Sequence, residues 1–290
     1  MNLPLYPEFK PVVAEDRPII EDYLRRFPSS VCEMNFPNIL IWKDSERPRW
    51  TILNGNLCLL VESTFEPAYF LPPAGGNEIG KTLETCLSLA PRLSRLPEDF
   101  VLAHGAAFRV EEDRNNFDYV YLREDLAELK GKKYDGKRNR IKKFEATPGH
   151  AYDALLPAYR DDCRRLLLQW YEEKGNGDPY MKAEKEAVLY ALAHFDESGL
   201  KGAVVTVGGR VEAFTIGAPL NRGTAVIQIE IANAAFTGLA QWINREFVRR
   251  EWSACRFINR EQDLGVPGLR KAKLSYQPDH LVKKYNLFKK

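Results

Sequence analysis

The chain has 290 residues, of which 44% are hydrophobic and 28% are charged, and its formal net charge is +2. This composition is typical of a folded protein with one large domain or two of ordinary size, and it excludes a fibrous or largely disordered chain. No run of about 18 apolar residues is present to span a membrane, and the first residues lack the pattern of a signal peptide, so we expect a cytoplasmic protein.

The first half of the sequence predicts a mixture of helices and strands. Apolar residues share one face of a helix between Ile20 and Phe27. Two apolar runs, at 50–53 and 57–61, flank Asn54-Gly55, which is a strong signal for a β-hairpin. The other expected elements are a strand at 68–71, a helix at 79–90, and strands at 100–103 and 117–122.

The second half predicts the same kinds of element in a similar order. They are helices at 159–170 and 187–195, hairpin strands at 203–207 and 210–217, a strand at 224–231, a helix at 239–247, a strand at 255–259, a helix at 267–276 and a strand at 283–288. The repetition indicates a duplicated α/β unit. We therefore expect a first domain at 1–125, a linker at 126–149 and a second domain at 150–290.

The expected linker is strongly basic. Residues 130–143 contain eight Lys or Arg and one Asp, and 137–143 predict a short helix. This excess of positive charge is not a property of the whole chain, because residues 1–125 carry 13 basic and 20 acidic side chains. Such a segment favours a polyanionic partner, and the alternative is a solvated linker. The side chains proposed to contact phosphate are Lys137, Arg138, Lys142 and Lys143.

Sequence motifs for several kinds of catalysis are absent. The chain has no G-x-x-x-x-G-K-[S/T] phosphate loop, no H-E-x-x-H, no G-x-S-x-G and no G-x-G-x-x-G. Its five cysteines include no C-x-x-C pair, and its four histidines lack the spacing of metal ligands. We therefore expect reduced, mostly buried cysteines and no metal site.

A dense polar run follows the strand expected at 255–259. Ligands of open α/β sheets collect beyond the carboxyl ends of strands, so this run is a candidate site. Pro267 suits the first turn of a helix that would begin beside it. The alternative is a turn that only caps the strand and the helix.

The polar run also carries a family resemblance. The residues that carry it are Asn259, Glu261, Gln262, Asp263, Leu264, Gly265, Gly268, Leu269, Arg270, Lys273, Ser275, Tyr276 and Pro278. They resemble the C-terminal signature of the DUF2156 family, which is similar to the C-terminal domain of phosphatidylglycerol lysyltransferases and, more distantly, to Fem-type peptidoglycan aminoacyltransferases.

The resemblance implies two tandem domains of the GNAT acyltransferase fold. We expect the site on the second domain and a non-catalytic first domain, because the Pro72-Pro73-Ala74-Gly75-Gly76 break of the first half has few hydrogen-bonding side chains. It implies an aminoacyl-tRNA or acyl-CoA donor, no required cofactor, and tRNA as a candidate partner. Coenzyme A users of this fold carry Q/R-x-x-G-x-G/A, whereas this chain has Gly238-Leu239-Ala240 without the leading Gln or Arg. The acceptor is left open, because the membrane-embedded part of the lysyltransferases has no counterpart in this sequence.

Direct attack of an amine or hydroxyl on an activated carbonyl requires a base, hydrogen-bond donors for the oxyanion, and an acid. The base candidates are Glu230, Glu261 and Asp263. Lys273 and Tyr276 are the candidate acid pair, in which the lysine is expected to lower the pKa of the phenol; the alternative is a Tyr276 that only packs. The remaining substrate contacts are expected from Asn233, Gly238, Asn259 and Arg270.

Two other functions fit the same sequence. A CoA-dependent N-acetyltransferase would release a thiol during turnover. A non-catalytic protein that binds RNA or an anionic surface would use the same fold without turnover, because a fold does not by itself imply an activity.

Overall fold

The computed structural model of the protein describes residues 3–175 and 178–290. These residues form two seven-stranded sheets. The strands are β1 (Lys10–Pro11), β2 (Pro48–Leu53), β3 (Asn56–Val61), β4 (Tyr69–Phe70), β5 (Arg92–Pro97), β6 (Arg109–Glu112), β7 (Asp118–Leu122), β8 (His150–Ala154), β9 (Lys201–Val207), β10 (Arg210–Asn221), β11 (Thr224–Ala232), β12 (Phe257–Asn259), β13 (His280–Val282) and β14 (Lys284–Phe288).

Helices connect these strands. They are α1 (Arg17–Arg26), α2 (Phe36–Ile41), α3 (Lys43–Glu46), α4 (Ile79–Leu89), α5 (Glu98–His104), α6 (Arg123–Glu128), α7 (Asp135–Glu145), α8 (Arg160–Lys174), α9 (Pro179–Ala193), α10 (Leu239–Glu251) and α11 (Pro267–Leu274). No helix in the described part of the chain has the length and apolar character needed to cross a membrane.

The first compact unit contains Met1–Asp118, Gln262–Pro267 and Leu281–Lys290. Its sheet has the order β1-β2-β3-β4-β5-β14-β6, in which β4 and β5 are parallel. Helix α4 covers the sheet, because its apolar face packs with the strands in one buried cluster. The last strand of the chain therefore lies between two strands of the first half.

The second compact unit contains Tyr119–Glu261 and Gly268–His280. Its sheet has the order β13-β7-β12-β11-β10-β9-β8, in which β11 and β12 are parallel. Helix α10 buries Ile243 and Phe247 completely in this unit. The basic segment at 126–149 lies within this unit, and helix α7 forms where a basic helix was expected.

The two sheets share an architecture. In each, two antiparallel strands and a third strand are followed by a helix and a strand parallel to the third, as in β2-β3-β4-α4-β5 and β9-β10-β11-α10-β12. The expected α/β class is confirmed, and the sheet of each unit is mixed. Each unit also includes a strand distant in sequence, so neither is a single continuous stretch of chain.

Most of the elements expected from the sequence are present, and one prediction was wrong. The hairpin of β2 and β3 turns at Asn54 and Gly55, whose positive φ angles of 53° and 80° suit a tight hairpin turn. The strand expected at 100–103 belongs instead to helix α5. Glu98 and Asp99 after Pro97 favour a helix start there, because acidic side chains stabilise the first helical turn.

Lys284 is a fully buried cation in the first unit. Its Nζ lies 2.6 Å from Asp118 Oδ1 and 2.6 Å from Glu33 Oε2. Burial alone would lower the pKa of this lysine, but the attraction of Asp118 and Glu33 outweighs burial and raises the pKa above its ordinary value. The ammonium therefore neutralises two carboxylates that the fold has removed from water.

We predict that Lys284→Met lowers the free energy of unfolding by about 3–5 kcal/mol, because it leaves the fully buried carboxylate of Asp118 without its cation. The matched control is Lys283→Met, which removes only an exposed ion pair with Glu98 and should cost about 1 kcal/mol or less. Denaturant unfolding measures both. Equal effects of the two substitutions would contradict the structural role of Lys284.

Helix α7 packs closely against the start of α10. Gly238, the residue before α10, has a φ of +94°, and a Cβ there would lie 1.9 Å from the carbonyl oxygen of Arg140. Only glycine combines this backbone conformation with so close an approach. The glycine thus sets the position of α7 in the second unit.

We predict that Gly238→Ala lowers the free energy of unfolding by about 2 kcal/mol or more, from overpacking and an unfavourable φ. Gly136→Ala on α7 is the control, because a Cβ there meets nothing within 4 Å and alanine should stabilise the helix by about 0.5–1 kcal/mol. Thermal unfolding of both variants tests this. A neutral Gly238→Ala would show that α7 is free to move away.

Candidate functional site

The candidate site lies where β11 and β12 of the second unit separate. The two parallel strands pair only as far as Val226 with Asn259. Glu230 lies further along β11, and Arg260 directly follows β12. Their side chains meet in the widening gap, and this is the place at which open α/β sheets bind ligands.

Arg260 is the centre of this site. One of its terminal nitrogens, Nη2, lies 3.1 Å from Glu230 Oε1, and the amide of Asn244 on α10 donates to Glu230 Oε2 at 2.8 Å. The guanidinium lies over the ring of Tyr276, 4.8 Å from the ring centroid. The other terminal nitrogen, Nη1, is buried and has no hydrogen-bond partner among the described residues. The site therefore holds a fixed cation with one unused donor.

Tyr276 is a buried phenol. Burial raises its pKa to about 12, and the attraction of Arg260 only partly offsets that rise. The expectation that Lys273 lowers this pKa is wrong, because Lys273 Nζ donates to the backbone carbonyl of Arg260 and lies 3.4 Å from that of Glu261. At neutral pH Tyr276 is thus protonated and is a hydrogen-bond donor.

The lysine next to Tyr276 is Lys137, from helix α7. Its Nζ lies 3.5 Å from the centroid of the Tyr276 ring and donates to Ser275 Oγ at 2.8 Å. Burial lowers the pKa of Lys137 to about 8, and repulsion by Arg260 and Arg140 acts in the same direction. Lys137 therefore joins the site around Arg260.

The other basic residues proposed to contact phosphate divide into two groups. Arg138 is held by its own segment of the chain. It donates to the carbonyls of Leu129 and Gly131 and pairs with Asp135. Lys142 and Lys143 are exposed on α7. Only these last two of the four predicted residues thus present an exposed ammonium in the second unit.

The three candidate bases lie in different places in the structure. Glu230 lies in the site. Asp263 belongs to the first unit, where it accepts from the amide of Gly265 at 2.8 Å and pairs with Arg114 at 3.3 Å. Glu261 lies beside Arg260 with a φ of 56°, and its carbonyl accepts from the amide of Tyr119 at 3.1 Å. The structure thus brings one of the three carboxylates to Arg260 by direct contact.

The predicted substrate contacts have local structural partners. Asn233 donates to Glu212 at 2.6 Å and accepts from the amide of Ala235 at 2.9 Å. Asn259 is buried and accepts from the amide of Glu261 at 2.7 Å, which turns the chain after β12. These asparagines shape turns beside the site, and substrate contact by either remains a prediction.

Helix α11 carries Arg270 and has no fully buried residue. Leu269 and Ala272 on this helix are exposed. Tyr276 lies beyond the end of α11 and is buried. Arg270 is half-buried, and its contact with substrate remains a prediction.

Sequence reasoning missed Arg260, Asn244 and the role of Lys137. Arg260 was inside the polar run, but nothing in the sequence distinguished a buried arginine from an exposed one. Lys137 was assigned to a basic surface because seven other cations lie within 130–143. The proximity of Lys137 to Ser275 spans 138 residues of sequence, which a local pattern does not report.

One cluster in the first unit has the residue types of a metal site. Ligand atoms of Cys32, Glu33 and Asp118 lie within 4.8 Å of one another. The ammonium of Lys284 already lies among them, 2.6 Å from each carboxylate. The donor set therefore fits an internal ion pair, since a lysine supplies the positive charge that a metal would bring.

Solved structures resemble this chain over nearly its whole length. A conserved protein of unknown function from Bacteroides thetaiotaomicron is 31% identical, with a TM-score of 0.89, 97% of this chain covered and 99% of that one. The C-terminal domain (DUF2156) of a putative lysylphosphatidylglycerol synthetase from Agrobacterium fabrum is 14% identical, with a TM-score of 0.66 and coverages of 96% and 92%. FemX is 7% identical, with a TM-score of 0.60 and 97% of each chain covered, which shows the fold alone.

A curated relative is an uncharacterized protein of Mycoplasmoides gallisepticum, 23% identical over 181 residues. The match covers 61% of this chain and 56% of that relative. This chain therefore spans little more than half the length of the curated relative. The tandem GNAT-like fold expected from the motif is confirmed, as is the resemblance to DUF2156. The model of the family "Phosphatidylglycerol lysyltransferase, C-terminal" matches residues 24–288, and the chain belongs to this family.

Proposed function

We propose that the second unit transfers an aminoacyl group from aminoacyl-tRNA to an amine or hydroxyl acceptor. The observation that supports this most is the unused donor of Arg260, held by Glu230 at the gap between β11 and β12. A fixed, buried donor stabilises negative charge that develops on a carbonyl oxygen, because it needs no reorganisation when the charge appears. Such charge develops when a nucleophile attacks an ester.

Arg260 and Tyr276 are the two hydrogen-bond donors that stabilise the developing negative charge. Nη1 of Arg260 donates to the carbonyl oxygen of the ester and stabilises the tetrahedral oxyanion. The phenol of Tyr276, whose pKa is raised to about 12 by burial, stays protonated and is a second donor within the same cluster. No covalent enzyme intermediate is required, since the acceptor attacks the ester directly.

The packing of α7 favours a tRNA donor over coenzyme A. In CoA users of this fold the pyrophosphate binds at the helix start equivalent to Gly238. The carbonyl of Arg140 approaches Gly238 closely there, and the amide of Leu239 already donates to Phe236 at 3.1 Å. On the exposed side of α7, Lys142 and Lys143 are available to a phosphate backbone. Aminoacyl-tRNA is a cytoplasmic donor, so we place the reaction in the cytoplasm.

The family name suggests one acceptor for the assay. Its members are described as phosphatidylglycerol lysyltransferases, so the glycerol hydroxyl of that lipid is the first hydroxyl acceptor to test. Amines such as the free amino group of a short peptide form the second class. We keep both classes in the proposal, because Arg260 acts on the donor carbonyl and does not select between them.

We predict that the protein transfers a radiolabelled amino acid from tRNA to an acceptor, and that Arg260→Met lowers kcat/KM by about 100-fold to 1,000-fold. The matched control is Arg256→Met, an exposed arginine one residue before β12, which should retain activity. Arg260→Lys keeps a charge near Glu230 and separates loss of the donor from loss of folding. Thermal unfolding is followed for each variant.

The assay also distinguishes the alternatives. Thiol release from acetyl-CoA, without dependence on tRNA, would replace the proposal by an N-acetyltransferase. Binding of tRNA without transfer to either acceptor class would identify a non-catalytic binder. Full activity of a folded Arg260→Met variant would remove Arg260 from the reaction.

A further inference from the structure

We propose that Lys137 is the catalytic base of the transfer, and that it moves the proton of the acceptor to the leaving ribose oxygen of the tRNA. This inference rests on the proposed function and assigns a proton carrier to it. The lysine was expected to hold phosphate on the basic helix, but its Nζ lies on the ring of Tyr276 in the site.

The position of Lys137 is fixed by contacts on two sides. Its Nζ donates to Ser275 Oγ at 2.8 Å and lies 3.5 Å from the Tyr276 ring centroid. The same ring lies under the guanidinium of Arg260. The amine of Lys137 and the guanidinium of Arg260 therefore contact the same ring, and we infer that an ester bound by Arg260 lies within reach of the amine.

The charges that face Lys137 favour its neutral form. Arg140 is on its own helix, and Arg260 approaches from the end of β12; both repel the ammonium. Tyr276 and Ser275 face it with neutral groups. Among the described residues no carboxylate lies within ion-pair distance of its Nζ, and Glu230 of the same site is paired with Arg260. A half-buried lysine in this environment loses its proton more easily than one on the surface.

Other side chains of the site are less suited to accept a proton. Both oxygens of Glu230 are engaged, one by Arg260 and one by Asn244. Tyr276 holds its own proton up to a pKa of about 12. Lys273 is bound to backbone carbonyls. Lys137, with a pKa of about 8, is close to the value that suits proton exchange near neutral pH.

The proton and the bonds balance in this scheme. The acceptor amine or hydroxyl forms a bond to the ester carbon, and its proton passes to the neutral amine of Lys137. The carbonyl electron pair becomes the oxyanion held by Arg260. When that pair returns, the bond from carbon to ribose oxygen breaks, and the ammonium of Lys137 gives its proton to this oxygen. The enzyme ends in its initial state.

The first test is the pH dependence of kcat/KM. In the parent protein kcat/KM should rise with pH and level off above about 8, because the base must be neutral. Lys137→Met and Lys137→Arg should lower it by about 100-fold and abolish this rise. Lys182→Met is the control, because Lys182 is exposed on α9 and has no role in the proposal; it should keep both kcat/KM and its pH profile.

The second test needs no transfer activity. Acetic anhydride labels neutral amines, and peptide mass spectrometry reports the labelling of Lys137 at each pH. Half-maximal labelling is expected near pH 8 in the parent protein and at a higher pH in Arg260→Met, which removes a repelling charge. Labelling that follows the ordinary lysine pKa of about 10.4 would overturn the inference.

The two tests separate the two proposals. Loss of turnover in Lys137→Arg, with labelling near pH 8 in the parent, supports the base. An unchanged pH profile in a folded Lys137→Arg variant overturns it, even if transfer is confirmed. If the parent transfers nothing, the proposed function fails, and labelling alone then decides whether Lys137 is the reactive amine inferred from the structure.

Discussion

The burial of the Arg260 guanidinium is the constraint on which the rest of the site depends. A charge removed from water is costly unless it is paired and hydrogen-bonded. Glu230 supplies the pairing charge, Asn244 holds Glu230, and the Tyr276 ring covers one face of the cation. Since the partners are distributed over β11, α10 and the segment after α11, the position of Arg260 depends on the whole sheet of the second unit.

The same cation has opposite effects on its two titratable neighbours. It repels the ammonium of Lys137 and adds to the burial that lowers the pKa of that lysine. It attracts the phenolate of Tyr276, but burial of the ring dominates and the pKa of the phenol stays raised. The result is an amine that can lose a proton beside a phenol that keeps one. This is a suitable pairing for acyl transfer, which needs a base and donors at once.

A comparison of the buried cations explains why the site is expected in the second unit. Lys284 of the first unit lies between Asp118 and Glu33, and its positive charge is used in full by these carboxylates. Arg260 is held by one carboxylate and retains an unpartnered nitrogen. The first arrangement stabilises a fold, whereas the second also offers a donor to a ligand. This supports the prediction that the first domain is non-catalytic.

Local patterns in the sequence predicted much of the fold and part of the site. The hairpin at Asn54-Gly55 and helix α10 follow from turn chemistry and apolar spacing, which are local properties. Helix α5 was mistaken for a strand because its apolar run is short and ambiguous. The motif at 259–278 contains Arg260 and Tyr276 of the candidate site, but the lysine beside Tyr276 comes from α7, and only the tertiary fold brings it near. Gly238 was predicted to contact substrate, and in the structure it also allows the close approach of α7.

The most direct measurement is a crystal structure with a non-hydrolysable analogue of the donor, an adenosine with the amino acid attached through a 3′-amide. The account predicts that the analogue binds in the second unit, with its carbonyl oxygen about 2.7–3.1 Å from Nη1 of Arg260, the distance expected for an oxyanion donor. An analogue bound in the first unit, or with its carbonyl turned away from Arg260, would contradict the central claim.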